Sequence, residues 1–179
     1  IVWRAERSSS LAGDADNLGL APNASSGAHV AAGSLALQPG DEILGTDHEY
    51  GACVYSWQHN CERTGAKYVV QPMPPPFSTT EAFVEQFWKG VTPRTRVIYM
   101  SHIASPTALI FPVEEICRRA RAAGIISGTA GAHPPWQIPL DTQALGTAFD
   151  TGNRDQSLWP RKATRCLSLR PTYDRATQP

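Results

Sequence analysis

The chain has 179 residues, of which 41% are hydrophobic and 18% are charged, a composition typical of one globular domain with its own core. Its 16 basic and 16 acidic residues give a net charge of zero, so the charge does not favour binding to nucleic acid or to an anionic membrane. No apolar run reaches the roughly 20 residues that a membrane span needs, and the first residues are charged where a signal peptide would be apolar, so we expect a cytoplasmic protein.

The cysteines argue against a zinc site and against a redox motif. Cys53, Cys61, Cys117 and Cys166 form no C-x-x-C pair and no cysteine–histidine spacing typical of zinc. We expect them to be buried, reduced thiols, and we predict no metal site.

Short apolar runs alternate with helical patterns along the chain. After an apolar run at residues 18–21, the pattern predicts helices over 25–37, 50–63, 80–89 and 113–123. Strands are predicted over 42–46, 67–71, 96–101 and 125–129, with a further candidate at 166–169. Strands separated by helices of this length predict an α/β fold, with three αβα layers around a mainly parallel sheet.

Two local features refine this assignment. Ser78 and Glu81 have the spacing of a capping box that opens the third helix, with Phe83, Phe87 and Trp88 as its buried stripe. Gly128 and Thr129, in contrast, weaken the strand that contains them.

Ligands in such a fold bind beyond the carboxyl ends of the strands. The loops in that position are predicted to be residues 22–27, 47–51, 101–107, 130–137 and 151–157. These loops are the candidate site.

The same loops carry a resemblance to a known family. Pro39-Gly40-Asp41-Glu42-Ile43-Leu44 is similar to a P-G-D-E-I/V-L segment of class V aminotransferases, and Thr46-Asp47-His48-Glu49-Tyr50-Gly51-Ala52 resembles the T-D-H-E-Y-G-A segment of isopenicillin N epimerase-like members. Residues 92–97, 101–109, 131–133 and 151–153 continue the register, and the resemblance covers residues 17–171. It implies the large domain of a fold type I pyridoxal 5′-phosphate enzyme, a homodimer whose active sites lie at the subunit interface and act on an amino-acid-like ligand.

The resemblance also implies roles for individual residues. Ala24, Ser25 and Ser26 correspond to the turn that cradles the cofactor phosphate, a use that suits the free N–H groups of a helix amino terminus, although an ordinary helix cap explains the same residues. Tyr50 would lie against the pyridine ring, or be a half-buried aromatic without a ligand. Ser105, His133 and Asn153 complete the predicted cofactor-binding set.

Two positions depart from the family pattern. The family has D-G-A-H after its fifth strand, and its aspartate pairs with the pyridinium nitrogen; this chain has Ala130 there. The family has T-G-N-x-H-K-W next, and its lysine forms the Schiff base; this chain has Gln156, whose amide is not nucleophilic. The lysines that remain, Lys67, Lys89 and Lys162, do not fall at the expected position.

The resemblance implies a division of the chain. Residues 1–16 form an amino-terminal segment, 17–171 a partial cofactor-binding domain and 172–179 a tail, whereas the family's small carboxyl-terminal domain is expected to be absent. Because that domain supplies the substrate-carboxylate arginine, we assign none. A large domain without its dimer arm predicts exposed apolar surface and self-association.

Three functions stay open at this point. The first is a truncated, catalytically impaired homologue, with any cofactor bound non-covalently, that acts as a binding or dimerisation partner. The second is an active epimerase, lyase or transaminase that uses non-standard residues. The third is a hydrolase in which Cys53 or Ser105 works with His102 or His133.

Overall fold

The computed structural model describes residues 18–77, 79–134, 137–138, 145–153 and 165–169. The strands are β1 Leu18–Ala21, β2 Glu42–Thr46, β3 Lys67–Gln71, β4 Thr95–Ser101, β5 Ile126–Gly131, β6 Phe149–Asn153 and β7 Arg165–Leu169. The helices are α1 Ala24–Ser34, α2 Gly51–Thr64, α3 Thr80–Trp88 and α4 Val113–Ala122. None of the helices in these ranges is long and apolar enough to cross a membrane.

The seven strands form one sheet in the order β1-β7-β6-β5-β4-β2-β3. The five strands from β6 to β3 are parallel, and β7 pairs antiparallel with both β6 and β1. Parallel neighbours need crossover connections, which the helices supply. The predicted α/β architecture with a mainly parallel sheet is therefore confirmed.

Each face of the sheet has its own core. On one face, α1 and α2 bury Trp57 against Tyr99 and Phe149, whose ring centroids lie 5.1 and 6.0 Å from that of Trp57. On the other face, α3 and α4 bury Phe87 and Ile116 against apolar side chains of β2 and β4. Burial on both faces is why β4 is a nearly continuous apolar run.

Most element boundaries lie within two residues of the prediction, and three features differ. Helix α1 ends at Ser34 rather than at residue 37, because Leu35 adopts an extended conformation, and Leu35 and Leu37 are buried beyond the helix. Helix α3 is capped by Thr79, whose hydroxyl accepts from Ala82 N at 3.1 Å, one residue after the predicted cap at Ser78, which lies outside the described residues.

The third difference is strand β6, which the sequence does not predict. Residues 151–153 were expected to belong to a loop, yet they extend a strand that starts at Phe149 and pairs with β5 on one side and β7 on the other. Gly128 was predicted to weaken its strand, but the structure gives it a packing role. A Cβ at this position would lie 2.1 Å from the Phe149 ring. Glycine at this position makes room for the aromatic side chain of the neighbouring strand.

Candidate functional site

One cavity of about 410 Å³ lies beyond the carboxyl ends of β4 and β5 on the α1–α2 side of the sheet. Four of the five predicted loops contribute to it. Its lining residues are Asn23, Ala24, Ser25, Tyr50, Cys53, Ser101, Ile103, Ser105, Ala130, Ala132 and His133. Two wider grooves, of about 620 and 710 Å³, lie against Phe111 and the start of α4, and neither contains a residue predicted for cofactor binding.

The amino terminus of α1 forms one wall of this cavity. Asn23 caps the helix: its Oδ1 accepts from the Ser26 amide at 2.6 Å and from the Ser26 hydroxyl at 2.8 Å. The hydroxyl of Ser26 is thus engaged, and Ser26 does not line the cavity, unlike Ala24 and Ser25. Because the first N–H groups of a helix have no partner within it, Ala24 and Ser25 present amides and a positive helix end to a ligand.

The amino terminus of α2 forms the facing wall. Tyr50 is the N-cap residue of α2 and lies on the cavity with half of its surface exposed. Cys53, three residues further along, lies on the same side of the helix and is buried. Burial raises the pKa of the Cys53 thiol, so the group stays protonated at neutral pH.

The floor of the cavity is fixed by a partly buried carboxylate that the sequence analysis did not single out. One oxygen of Glu49 accepts from the Thr46 hydroxyl at 2.6 Å, and the other accepts from the Ser101 amide and hydroxyl, both at 2.7 Å. Burial raises the pKa of Glu49 while these hydrogen bonds oppose the rise. The contacts join the carboxyl ends of β2 and β4, so Glu49 is a positioning residue for the floor.

The ends of β4 and β5 supply the remaining wall. Ser101 pairs in register with Ala130, and the loop that follows β4 carries Ser105 into the cavity lining. That loop is closed by hydrogen bonds from Ala104 N to Leu109 O and from Ala108 N to Ala104 O. Among the described residues that line the cavity, none has an acidic side chain.

Several residues considered in the sequence lie elsewhere. His102 lines the groove beside α4, on the other side of the sheet from Cys53 and Ser105. Lys67 begins β3 and is exposed at the amino edge of the parallel strands, while exposed Lys89 follows α3 and donates to Gln86.

Three other residues named in the sequence analysis have side chains outside the described part of the structure. Asn153 ends β6, and its side chain lies outside the described part of the structure. Gln156 and Lys162 lie outside the described residues altogether. Their predicted roles stay predictions.

A fully enclosed carboxyl, also missed in the sequence analysis, lies on the α3–α4 side of the sheet. Asp150 is 4% exposed, pairs in register with Thr129 and accepts a hydrogen bond from its hydroxyl. A Cβ on Gly131 would lie 2.7 Å from both carboxyl oxygens, so glycine leaves the space that Asp150 occupies. Burial raises the pKa of Asp150 to about 6. No group of three or more histidine, cysteine or acidic side chains in the described ranges is arranged to hold a metal ion.

Comparison with known proteins places this architecture in a defined fold. The cystine C–S lyase C-DES superposes with a TM-score of 0.87 at 20% identity, covering 98% of this chain and 47% of the lyase. The cysteine desulfurase CsdA of Escherichia coli superposes with a TM-score of 0.85 at 22% identity, covering 97% of this chain and 43% of the desulfurase. The expected likeness to the large domain of fold type I enzymes is therefore confirmed for the fold.

Residues 20–151 match the family described as Aminotransferase class-V, and the chain belongs to that family. It is 31% identical over 173 residues to isopenicillin N epimerase of Streptomyces clavuligerus, a match that covers 96% of this chain and 44% of the epimerase. It is 34% identical over 113 residues to a probable cysteine desulfurase of Vibrio cholerae, covering 63% of this chain and 27% of the relative. The chain thus spans less than half the length of these relatives.

The described cavity lining suits the binding of a phosphorylated pyridine, but it lacks the groups that would make the bound pyridine catalytic. The free end of α1 suits a phosphate, and Tyr50 offers a face for a flat ring. Ala130, however, gives the ring nitrogen no countercharge, and neither Lys67 nor Lys89 lines the cavity. We therefore derive no reaction step through a cofactor.

Proposed function

We propose that this chain is a class V aminotransferase homologue that binds pyridoxal 5′-phosphate non-covalently and is impaired in the family's chemistry. The observation that carries the proposal is the single cavity that brings Ala24, Ser25, Tyr50, Ser105 and His133 together at the free end of α1. These residues come from four separate parts of the chain. Their convergence supports a retained ligand site.

Each wall of the cavity has a distinct part in binding. The amides of Ala24 and Ser25, with the Ser25 hydroxyl, bind the phosphate through charge-assisted hydrogen bonds. Tyr50 covers one face of the ring and restricts its exposure to water. Ser105 and His133 hold the ring's edges. In the relatives' chemistry the bound cofactor supplies an electron sink for bonds at the α-carbon of an amino acid.

Two substitutions support catalytic impairment. Alanine at position 130 cannot stabilise positive charge on a ring nitrogen, which weakens any electron sink. Glutamine at position 156 cannot form a Schiff base or act as a general base, because its nitrogen lone pair is delocalised into the carbonyl. An amino-acid-like ligand would then be held without rapid turnover.

A structural relative supports binding of this kind. A lysine-to-alanine mutant of C-DES has glycine covalently linked to its pyridoxal-phosphate cofactor and superposes on this chain with a TM-score of 0.84 at 20% identity. By analogy, we propose that this chain can hold a cofactor together with an amino acid.

The alternatives gain less support from the geometry. An active epimerase, lyase or transaminase of this family would need a lysine for the Schiff base, and no described residue of the cavity lining is a lysine. A hydrolase built on Cys53 would need a thiolate, whereas burial raises the pKa of that thiol, and His102 lies on the opposite side of the sheet. Ser105 and His133 do line the same cavity, but no described lining residue is an acid that could orient the histidine.

The first experiment is a visible absorbance spectrum of the protein with pyridoxal 5′-phosphate, before and after borohydride reduction, followed by peptide mass mapping. We expect saturable binding that dialysis reverses and no reduced adduct. An adduct on one specific lysine would overturn non-covalent binding and favour the active enzyme. Absence of any binding would overturn the proposed function.

A pair of proline variants tests the phosphate site. Ala24→Pro removes one amide at the first position of α1, where proline is well tolerated, and Asn23 already has the extended backbone that proline requires before it. We expect affinity to fall about tenfold or more, as for loss of a hydrogen bond to a charged group. Thr80→Pro makes the same change at the first position of α3 and is expected to leave affinity unchanged.

Self-association is a separate proposal. Val30, Tyr50 and Tyr55 are each more than half exposed, and all three lie on or beside α1 and α2. We expect a homodimer or a larger species in sedimentation velocity experiments. A monodisperse monomer at micromolar concentration would contradict this.

A further inference from the structure

The α1–α2 side of the sheet buries polar groups that have no partner. Among the described residues these are the hydroxyls of Tyr68 and Tyr99, the indole nitrogen of Trp57 and the amide nitrogen of Asn60. Tyr99 is fully buried, and its hydroxyl makes no hydrogen bond of standard geometry, although Cys53 and Thr151 lie near it. An orphaned buried hydroxyl is destabilising by about 1–3 kcal/mol, so its retention needs an explanation.

Tyr99 lies directly beneath the floor of the cavity. It precedes Ser101 by two residues on β4, so both side chains point to the same face, and Ser101 pairs with Ala130 in the cavity lining. The hydroxyl of Tyr99 and the thiol of Cys53 are close enough to shift each other's pKa. Cys53 itself lines the cavity. The two groups therefore form a connected pair that reaches from the core to the ligand space.

The charge of this pair is decisive for a pyridine ligand. Burial raises the pKa of both Cys53 and Tyr99, so both remain neutral hydrogen-bond donors near pH 7. A protonated ring nitrogen would be a donor with a positive charge and would find no carboxylate in the described lining. An unprotonated ring nitrogen is an acceptor and matches a neutral donor.

We propose that the cavity selects the unprotonated form of a phosphorylated pyridine, with the Cys53 thiol donating to the ring nitrogen and Tyr99 positioning that thiol from below. The inference rests on the proposed function, because it names the protonation state of the ligand in the same cavity. This inference gives a role to the buried hydroxyl of Tyr99 and to Cys53, which the sequence analysis predicted only to be a buried, reduced thiol.

The test uses pyridoxine 5′-phosphate, which has no aldehyde and cannot bind covalently, with Kd measured by calorimetry from pH 6 to 9. We expect affinity in the wild-type chain to fall as the ring nitrogen of the free ligand becomes protonated, approaching tenfold per pH unit. The ligand phosphate, with a pKa of about 6, also titrates, and the ionisable side chains that face the ligand or Cys53 are Glu49, Tyr50, Tyr68, Tyr99 and His133. Variants compared at the same pH remove these shared contributions.

Ala130→Asp and Ala130→Asn form the first matched pair, since they add side chains of the same shape and differ in charge. Ala130→Asn should keep the wild-type pH dependence. Ala130→Asp should bind the protonated ring, so its affinity should exceed that of Ala130→Asn by at least tenfold at pH 6. The ultraviolet spectrum of the bound ligand should report a protonated ring in Ala130→Asp alone. Equal pH dependence and equal spectra would overturn the inference while leaving the proposed ligand intact.

The second set of variants tests the donors. Cys53→Ala and Tyr99→Phe should each weaken binding about three- to tenfold, the effect of one neutral hydrogen bond. Cys61→Ala and Tyr68→Phe remove a buried thiol and a buried unpartnered hydroxyl from the same face but outside the cavity lining.

These controls should change Kd by less than twofold. Ligand should also slow alkylation of Cys53 in the wild-type chain, and the slowing should be smaller in the Tyr99→Phe variant. If Cys53→Ala and Cys61→Ala behave alike, Cys53 is not the donor. If neither the wild-type chain nor any variant binds pyridoxine 5′-phosphate, the proposed function fails together with the inference.

Discussion

Asp150→Asn should stabilise the protein at neutral pH, and the gain should vanish in acid. The carboxyl is buried between strands, and its only hydrogen bond within the described structure comes from the Thr129 hydroxyl, which an asparagine oxygen can also accept. Burial raises its pKa from 3.8 to about 6. Because one pKa unit corresponds to 1.36 kcal/mol, ionising Asp150 in the folded state opposes folding by up to about 3 kcal/mol.

The direction of the pH dependence follows from proton binding. Between pH 4 and 6 the folded chain keeps the Asp150 proton that the unfolded chain has lost, so its contribution to stability is full below pH 4 and declines as the pH rises to 6. The asparagine variant has no such decline. The difference in unfolding free energy should therefore grow from near zero at pH 4 to as much as about 3 kcal/mol at pH 7 and then stay constant.

Urea unfolding of both proteins at half-unit steps from pH 4 to 8 measures this difference. His102, whose pKa burial lowers to about 4, lies on the same side of the sheet and has the opposite pH dependence, but it is present in both proteins and cancels in the difference. Glu62→Gln, which neutralises a carboxyl whose side chain is 81% exposed, is the matched control and should give a difference near zero. A constant difference across the range, or one that is largest in acid, would refute the burial of an uncompensated carboxyl.

The remaining predictions concern packing and capping. Gly128→Ala should destabilise the fold by about 2 kcal/mol or more, because the new Cβ would overlap the Phe149 ring, whereas Gly33→Ala, which meets nothing within 4 Å in α1, should be neutral or stabilising by up to about 1 kcal/mol. Equal unfolding midpoints for the two variants in urea would contradict this packing. Thr79→Ala should lower stability by about 1 kcal/mol, because it removes the acceptor for the Ala82 amide, and thermal unfolding with unchanged melting temperature would argue against the cap.

The sequence predicts the parallel core of the fold well. Strands β2 and β3 have the predicted boundaries, because Pro39 and Gly40 precede the first and Gly65 precedes the second. Gly65 has a φ of 76°, the left-handed conformation that ends α2. Local residue chemistry determines these boundaries, so a local pattern is sufficient to find them.

Strand β6 shows where such reasoning fails. Its residues Asp150, Thr151, Gly152 and Asn153 include no apolar run, so neither alternation nor hydrophobicity indicates a strand. The strand forms because β5 and β7 pair with it on both sides. The hydrogen bond between Thr129 and Asp150 joins residues 21 positions apart, so a local pattern cannot predict it either.

The candidate site is predictable in outline. The rule that ligands bind beyond the carboxyl ends of parallel strands selects four loops that line the cavity, and Cys53 could have been added from its spacing of three residues after Tyr50 on a helix. Glu49 could not, because its role depends on the distance between its carboxylate and Ser101 on another strand. When a side chain contacts a residue on another strand, its partner can be identified only once the fold is known.

The pairing of β1 with β7 affects the order in which the pocket assembles. Leu18 pairs with Ser168, so the first described strand finds its hydrogen-bonding partner only in the last one. Asn23, which begins the pocket wall, follows β1 after a single residue. Contacts so distant along the chain close late in folding, because a long loop must be ordered first. During synthesis the parallel strands β2 to β5 can therefore pair before β7 has emerged from the ribosome, and the strand that leads into the pocket wall is among the last to be paired in the described sheet.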